Sequence, residues 1–347
     1  MRVAFVYPNP RESLLDRVAA GTAPDTNLYG QNHLSALGLD AVVRDSVLRR
    51  GHLSGGLRHR VTWHARELTL PFELRDADLV VTPLAALLPL VARAARRPKV
   101  LVVSYHLVAA LDRSGRAQRS LLRSSLRASA GVVAISRAGR EALLSRVSLR
   151  PERVFVAELG VDARWWRPAE QRPDGYVLTV GRDLARDYET FARAIEGLDV
   201  RGVIVAKEEN LRNVVVPPNV EVRLNISPDE VRTAYAGASC VVVPTYPTDD
   251  ARGTENSGTI ALLEAMACAR PTIVTRRTYL DDYVDESATR VVESGDANGL
   301  REAISGLTGD PARQASMGAA GRKLVEARFT TELLARRLAA IIQQVTA

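Results

Sequence analysis

Aromatic residues, cysteines and lysines are all scarce in this sequence. Aromatic residues make up 5% of it, and the two cysteines, Cys240 and Cys268, both lie inside apolar runs. Because two cysteines without metal-ligand spacing build neither a disulfide framework nor a zinc site, we predict buried free thiols in a reducing compartment. Only three of the 47 basic residues are lysine, which we attribute to genome composition rather than to function.

The sequence also lacks long hydrophobic runs. No apolar run reaches the 18 residues of a membrane span, and no signal peptide precedes the first predicted strand. We therefore expect a cytoplasmic protein that is soluble or at most peripheral to a membrane. The 347 residues with 46% hydrophobic content suit two α/β domains of roughly 150–170 residues each.

Positive charge is concentrated in the first half of the chain. Residues 1–170 carry 26 basic and 15 acidic side chains, a charge of +11, whereas residues 171–347 carry 21 and 25, a charge of −4. The basic residues are not interleaved with aromatic ones, so we predict no nucleic-acid binding. A basic first half leaves three interpretations open: an acidic ligand, a weak contact with anionic lipid, or a solvated surface, for example on the predicted helix Arg116–Ala128.

Predicted strands and helices alternate along most of the chain. Apolar runs predict strands that include Arg2–Tyr7, Lys99–Ser104, Tyr176–Val180 and Thr272–Thr275, while residues 30–37 are predicted as the first helix. Such alternation is typical of parallel sheets covered by helices on both faces. A polar segment containing Pro and Gly, residues 168–175, separates two such patterns and is predicted to be a hinge.

We predict no metal site. The three histidines His52, His59 and His64 lack the spacing of a zinc motif, and the acidic pairs Asp249-Asp250 and Asp281-Asp282 lack D-x-D spacing. A solvated loop explains the histidines better than a metal does.

The stretch from Asn256 to Thr275, NSGTIALLEAMACARPTIVT, carries the strongest functional pattern. Asn256 or Ser257 is predicted to cap a helix that is apolar nearly all round and therefore buried. Glu264 is its only charge, and a buried carboxylate needs a partner. The N-terminus of the helix, at Gly258 and Thr259, would bind an anion. Glu264 lies about five residues, or roughly 7–8 Å, past that N-terminus. It would either accept hydrogen bonds from ligand hydroxyls or pair with a core arginine.

Two further places have side chains at strand ends. Gly181 and Arg182 follow the strand Tyr176–Val180, with Arg186 shortly after, so two cations stand at a strand–helix junction, where they bind phosphate or are merely surface charges. His106 follows the strand Lys99–Ser104, where ligands of parallel sheets bind, although a histidine there can also be structural.

These segments resemble glycosyltransferase family 4. Its donor signature, E-G-F-G-x-x-x-L-E-A-M-A, is similar to residues 256–267, Leu159-Gly160-Val161-Asp162 resembles its G-V-D-x-x-x-F-x-P, and Gly181 to Arg186 resembles its G-R-x-x-x-x-K. The resemblance implies the GT-B fold: two doubly wound Rossmann-like α/β domains facing each other across a cleft. The domains would be residues 1–168 for the acceptor and 174–329 for the donor, with the C-terminal helix, 330–347, crossing back to the first domain.

The resemblance also implies a function and a role for each residue. It implies a metal-independent retaining glycosyltransferase without cofactor, which takes a nucleotide-diphosphate sugar as donor and a small molecule or glycan, acidic if the charge is a guide, as acceptor. Arg182, Arg186, Gly181 and the segment Ser257–Gly258–Thr259 would hold the diphosphate and Glu264 the ribose hydroxyls; His106 and Asn256 would act at the donor sugar, with Gly30 (or Gly21) in a loop over it.

One residue departs from the family pattern and keeps alternatives open. The first signature glutamate falls on Asn256, with Glu255 one residue out of register. An amide cannot carry negative charge, so a non-catalytic nucleotide-sugar-binding protein is one alternative. A nucleotide-sugar epimerase of the GT-B type is another.

Overall fold

The computed structural model describes residues 1–7, 11–45, 67–83, 85–96, 98–169 and 174–347. Its internal contacts divide the chain into unit 1, Met1–Glu158 with Glu332–Ala347, and unit 2, Leu159–Thr331. Unit 2 thus begins nine residues before the hinge that the sequence analysis predicted at residues 168–175. The reason lies in Arg322, whose Nη1 donates to the carbonyls of Ala163 (2.9 Å), Trp166 (2.8 Å) and Ala267 (2.8 Å) and so holds the segment within unit 2.

Unit 1 contains a parallel sheet of six strands in the order β2-β1-β3-β4-β5-β6. Its inner strands are buried runs of β-branched residues and leucine, as expected of a sheet covered on both faces. The strands are β1 (Arg2–Tyr7), β2 (Asp40–Asp45), β3 (Leu79–Thr82), β4 (Lys99–Ser104), β5 (Gly131–Ala134) and β6 (Val154–Val156).

The helices of unit 1 differ from the predicted ones: Glu12–Ala19 and Leu107–Arg113 were not predicted, and the predicted helix at residues 30–37 does not form. Instead of a helix, the segment 30–37 forms two short 3-10 turns, Gln31–His33 and Ser35–Leu37, because Gly30 (φ 78°) and Gly38 (φ 80°) are left-handed and interrupt the chain at both ends. The first helix of the chain is instead Glu12–Ala19. The other helices are Leu88–Ala94, Leu107–Arg113, Arg116–Ala128, Arg137–Arg146 and Thr331–Thr346, and residues 67–73 are also helical.

The C-terminal helix Thr331–Thr346 packs on unit 1, which confirms the prediction that it crosses back to the first domain. Lys99 Nζ on β4 donates to the carbonyl of Val345 at 3.0 Å, and Arg337 Nε lies 3.2 Å from Glu158 Oε2. Among the described residues, no helix is long and apolar enough to cross a membrane.

Unit 2 contains a second six-stranded parallel sheet, in the order β12-β11-β10-β7-β8-β9. Numbered from its own first strand and read from the opposite edge, this order is 3-2-1-4-5-6, that of a dinucleotide-binding fold. The strands are β7 (Tyr176–Val180), β8 (Gly202–Ala206), β9 (Val220–Leu224), β10 (Ala238–Val243), β11 (Thr272–Thr275) and β12 (Thr289–Val292).

Helices bury this second sheet, and the cysteines lie in its core. Cys240 on β10 and Cys268, which follows the helix Thr259–Ala267, are free and at most 1% exposed. Burial raises the pKa of each thiol to about 12, so both are protonated at neutral pH. The helices of unit 2 are Tyr188–Ile195, Pro228–Gly237, Thr259–Ala267, Ala297–Thr308 and Pro311–Arg328.

Candidate functional site

The candidate site of unit 2 lies where its strand order reverses. β7 and β10 are neighbours in the sheet, but the chain leaves them towards opposite edges. In open parallel sheets the crevice beyond the carboxyl ends of two such strands binds ligands. Here β7 leads into Gly181 and β10 into Thr245, and these loops meet through a backbone bridge between Arg186 and Thr245.

Arg186 is buried beside this crevice because Gly181 makes room for it. A Cβ atom on Gly181 would overlap the Arg186 guanidinium, so any side chain there would displace the guanidinium from this position. The Arg186 side chain is 3% exposed and its Nε lies 3.1 Å from Asp183 Oδ2. Its buried Nη1 has no hydrogen-bonding partner. A buried guanidinium with an unpaired N–H is costly unless a ligand completes it.

Gly258, rather than Asn256 or Ser257, is the N-cap residue of the apolar helix Thr259–Ala267. Gly258 has φ 80°, a left-handed conformation that glycine adopts without strain, and no side chain caps the helix Thr259–Ala267. The predicted side-chain cap was therefore wrong: Ser257 Oγ instead bonds the Thr254 backbone N–H at 3.0 Å. A Cβ on Gly258 would lie 3.2 Å from Arg186 Nη1, so this glycine sets the helix N-terminus close against the arginine.

Two polar groups at this helix N-terminus are buried without partners. Thr259 Oγ1 and Asn256 Oδ1 have no hydrogen-bonding partner. The helix dipole and its first N–H groups add partial positive charge at the same place. This end of the helix therefore offers an anion both N–H groups and a hydroxyl.

Arg277 is a second buried cation near this point, and sequence reasoning missed it. Arg277 follows β11, is 3% exposed, and donates from Nη2 to the carbonyls of Thr254 (3.1 Å) and Glu255 (3.2 Å). Its Nη1 is buried and unpaired. Burial, together with the positive charge of Arg186, lowers the pKa of Arg277 to about 10, so it is still charged at neutral pH. Two buried cations that repel each other form a site for an anion.

Glu264 lies on the same helix as the anion site and has a tyrosine as its partner. Its half-buried Oε2 accepts a hydrogen bond from Tyr235 Oη at 3.1 Å, while Arg186 acts on it only electrostatically. Burial raises the pKa of Glu264 to about 8, against the opposing effects of Tyr235 and Arg186. The alternative of a core ion pair with arginine therefore loses its main support. The carboxyl is five residues past the start of the helix, a rise of about 7–8 Å.

The remaining predicted site residues are Arg182, His106 and Gly30. Arg182 is exposed, and its Nη2 donates to the carbonyl of Ile226 at 2.8 Å. His106 and Gly30 belong to unit 1: His106 is exposed at the end of β4, directly before the helix Leu107–Arg113, and Gly30 begins a 3-10 turn. His52, His59 and His64 lie outside the described residues. Within the described part of the chain, no group of three His, Cys, Asp or Glu side chains could hold a metal ion.

Arg277 could have been found by the reasoning that found His106, since both follow buried strands at the ligand-binding edge of a sheet. Its signal was the run Thr275-Arg276-Arg277, in which two arginines follow an apolar strand. Arg276 is exposed and pairs with Glu293 at 2.7 Å, whereas Arg277 turns inward. Which of the two arginines is buried depends on contacts with residues 22–23 positions earlier and is not readable from the run itself.

Comparison with known proteins assigns both units. Residues 3–165 match the family described as Glycosyltransferase Family 4, and residues 175–310 match Glycosyl transferases group 1. The chain belongs to the glycosyltransferases of the family 4 type, and its two parallel sheets form the GT-B fold. The predicted family and fold are thereby confirmed.

Among curated relatives, alpha-maltose-1-phosphate synthase of Mycolicibacterium smegmatis is 27% identical over 259 residues, which cover 65% of this chain and 66% of that protein. The GDP-mannose-dependent monoacylated alpha-(1-6)-phosphatidylinositol monomannoside mannosyltransferase of Corynebacterium glutamicum is 33% identical over 138 residues, 39% of this chain and 36% of that protein. The matches thus span two thirds or less of these relatives. Among solved structures, that of Anabaena Alr3699/HepE in complex with UDP-glucose aligns with 99% of this chain, and the match covers 100% of the Alr3699/HepE chain. The TM-score is 0.71 and the sequence identity is 12%.

Proposed function

We propose that the protein transfers a sugar from a nucleotide-diphosphate sugar to an acceptor hydroxyl. The observation that carries the proposal is the pair of buried guanidiniums, Arg186 and Arg277, each with an unpaired Nη1 beside the N-terminus of the helix Thr259–Ala267. A diphosphate supplies the negative charge and the acceptor oxygens that these groups lack. The names of two relatives, one GDP-mannose-dependent and one solved with UDP-glucose, support this donor class.

The same groups give the site a catalytic role. When the bond between the anomeric carbon and the diphosphate breaks, negative charge develops on the leaving oxygen, while the acceptor oxygen bonds to the carbon and loses its proton. Pre-oriented cations and helix N–H groups stabilise such charge strongly. We assign this role to Arg186 and Arg277 in preference to Arg182, which is exposed and bonded to Ile226. Because two arginines supply positive charge, we propose a metal-independent reaction.

Glu264 is proposed to accept hydrogen bonds from the ribose hydroxyls. Its carboxyl stands on the helix whose N-terminus would hold the diphosphate, and its distance along that helix matches the separation of diphosphate and ribose. The retaining stereochemistry and the roles of His106 and Asn256 at the donor sugar rest on the family resemblance and remain predictions.

The test is turnover of a panel of nucleotide sugars with and without acceptors. We expect release of the nucleoside diphosphate that depends on acceptor, survives EDTA and gives a product whose anomeric configuration, read by NMR coupling constants, equals that of the donor. Inversion of configuration or loss of activity in EDTA would refute the corresponding part of the proposal. Tight binding without turnover would favour the non-catalytic alternative that Asn256 keeps open, and donor epimerisation without acceptor would favour an epimerase.

A further inference from the structure

A second set of unusual side chains lies at the reversal point of the sheet in unit 1. β1 is flanked by β2 and β3, so the carboxyl end of β1, at Tyr7, is the position at which parallel sheets of this type bind ligands. Tyr7 is the first member of a row of three neighbouring rings, Tyr7, Tyr29 and Tyr105, which we call the tyrosine tier. Its ring centroid is 5.9 Å from that of Tyr29, which in turn is 4.8 Å from that of Tyr105, the residue after β4.

The backbone holds Tyr29 in a strained conformation. Tyr29 has φ 51°, left-handed and uncommon for a residue with a side chain, and Gly30 after it has φ 78°. Such strain persists only where surrounding contacts enforce it, and it clusters at functional sites. Tyr29 is half-buried, whereas Tyr7 and Tyr105 are buried, so Tyr29 is the member of the tier that is most accessible to a ligand.

Gln31, two residues after Tyr29, is buried with its whole amide unpaired. It is 3% exposed, and neither Oε1 nor Nε2 has a hydrogen-bonding partner. The next two residues are tied down: Asp25 Oδ2 accepts from Asn32 Nδ2 at 2.9 Å and lies 2.6 Å from His33 Nε2. The loop is therefore braced around an amide that offers two donors and one acceptor to a ligand.

The charges around the tier are of both signs. Arg11 has its guanidinium carbon 5.5 Å from the Tyr7 ring and 5.8 Å from the Tyr29 ring, so its charge is directed at ring faces. The buried carboxyl of Asp25 opposes it in sign. Burial raises the pKa of both Tyr7 and Tyr29, which keeps their hydroxyls neutral.

We propose that this strand-end site binds an uncharged ring bearing hydroxyls, a sugar or a cyclic polyol, as the acceptor, and that Gln31 selects it. The C–H face of such a ring stacks on an aromatic ring, and adjacent hydroxyls satisfy an amide that donates and accepts. A site built to bond a hydroxyl strongly discriminates against ligands that lack it. That the bound ring is the acceptor rests on the proposed function, whereas the binding of a ring at this site does not. The proposed uncharged acceptor differs from the acidic acceptor, which was one of the three interpretations that the charge distribution left open.

The binding test uses the full-length protein without donor. Saturation-transfer NMR would be recorded with methyl α-D-mannopyranoside, methyl α-D-glucopyranoside, myo-inositol and inorganic phosphate as separate probes. We expect at least one neutral probe to bind, Gln31→Leu to abolish its signal, and the matched control Gln118→Leu, at an exposed position of the same unit, to leave it unchanged. Binding of phosphate alone, or neutral binding that Gln31→Leu does not weaken, would overturn the proposal.

Two further measurements separate selection from a structural role. Because Gln31→Leu removes a buried unpaired amide, we expect the Tm of the unliganded protein to rise by about 2–4 °C. A lower Tm with unchanged binding would mean that Gln31 is an ordinary core residue. In turnover assays, Gln31→Leu should raise the acceptor KM at least about tenfold, with acceptor-independent donor hydrolysis unchanged. If no donor turns over but Gln31-dependent ring binding persists, the proposed function fails while the ring site stands.

Discussion

Replacement of Arg277 by methionine tests the candidate donor site most directly. Methionine keeps the unbranched apolar chain and removes the charge and both hydrogen bonds to the carbonyls of Thr254 and Glu255. Burial and the neighbouring cation lower the pKa of Arg277 from 12.5 to about 10. A difference of that size corresponds to about 3 kcal/mol of unfavourable free energy in the charged form. Methionine, which is uncharged, removes this unfavourable contribution to the free energy of folding.

The two consequences for the unliganded protein oppose each other. Loss of the unfavourable charge stabilises the fold, while the two lost charge-assisted hydrogen bonds, worth about 1.5–3 kcal/mol each, destabilise it. We therefore expect the free energy of unfolding without ligand to fall by no more than about 2–3 kcal/mol. Binding has no such compensation, since a hydrogen bond from a cation to phosphate is simply lost. We expect the Kd for nucleoside diphosphate to rise about 10- to 150-fold.

The assay is calorimetric titration with UDP, GDP and ADP, and with the matching nucleosides. The matched control is Arg182→Met, which removes an exposed guanidinium bonded to the Ile226 carbonyl. It should change the Kd less than about threefold, as is usual for an exposed charge. If Arg277→Met binds the best diphosphate as wild type does, or if Arg182→Met is the more damaging change, our assignment of the two cations is wrong. An equal loss for the nucleoside would place Arg277 away from the phosphates.

Five other predictions concern Glu264, the residues predicted near the donor sugar and the basic helix. Since only ionised Glu264 accepts two ribose hydroxyls and its pKa is about 8, nucleotide affinity should rise by up to about tenfold per pH unit from pH 6 to 8 and then level off, while Glu264→Gln should bind independently of pH. The Glu264 carboxyl is neutral in the folded protein below about pH 8, but in the unfolded chain it is ionised above its ordinary pKa of 4.5. The unliganded fold should therefore become less stable as the pH rises between these two values, which thermal melts would measure. Asn256→Ala should lower kcat/KM more than Glu255→Ala; the reverse would make Glu255 the working residue. His106→Ala should lower kcat, if the family role holds, and unchanged kcat would favour a structural histidine. If the arginine face of the helix Arg116–Ala128 contacts anionic lipid, liposome sedimentation should fall from low to high salt and on replacing its arginines with Gln, and insensitivity to both would leave a solvated face.

The arginine helix shows how structure qualifies a charge pattern. Its residues at positions 116, 119, 123 and 127 share one face by spacing. Arg119, however, donates to the carbonyls of Leu111 (2.7 Å) and Ser114 (2.9 Å) and so completes the end of the preceding helix Leu107–Arg113. That helix was itself absent from the sequence analysis. A periodic pattern predicted the Arg116–Ala128 helix and its bounds correctly, but not that one of its charges has a structural task.

Several strands and the helix Thr259–Ala267 were predictable because their signals are local. β1, β4, β7 and β11 have the predicted bounds, since each is a continuous apolar run between polar or turn-forming residues. The start of the helix Thr259–Ala267 was predicted, but its cap was not, because Asn256, Ser257 and Gly258 are all acceptable at a helix N-terminus. Gln31 gave no sequence signal, since an isolated glutamine is unremarkable until its burial is known.

The two buried cysteines can serve as chemical probes of opening in unit 2. Both belong to unit 2: Cys240 lies in β10, and Cys268 directly follows the helix Thr259–Ala267. No other cysteine occurs in the sequence. With pKa values of about 12 and at most 1% exposure, neither thiol reacts unless its surroundings open. When reclosing outpaces labelling, the rate at which a thiol reagent modifies the unaltered protein therefore measures the opening equilibrium of unit 2 alone. A ligand that binds only the closed form should slow this rate by the factor 1 + [L]/Kd, so thiol chemistry can report donor affinity even where no turnover is known.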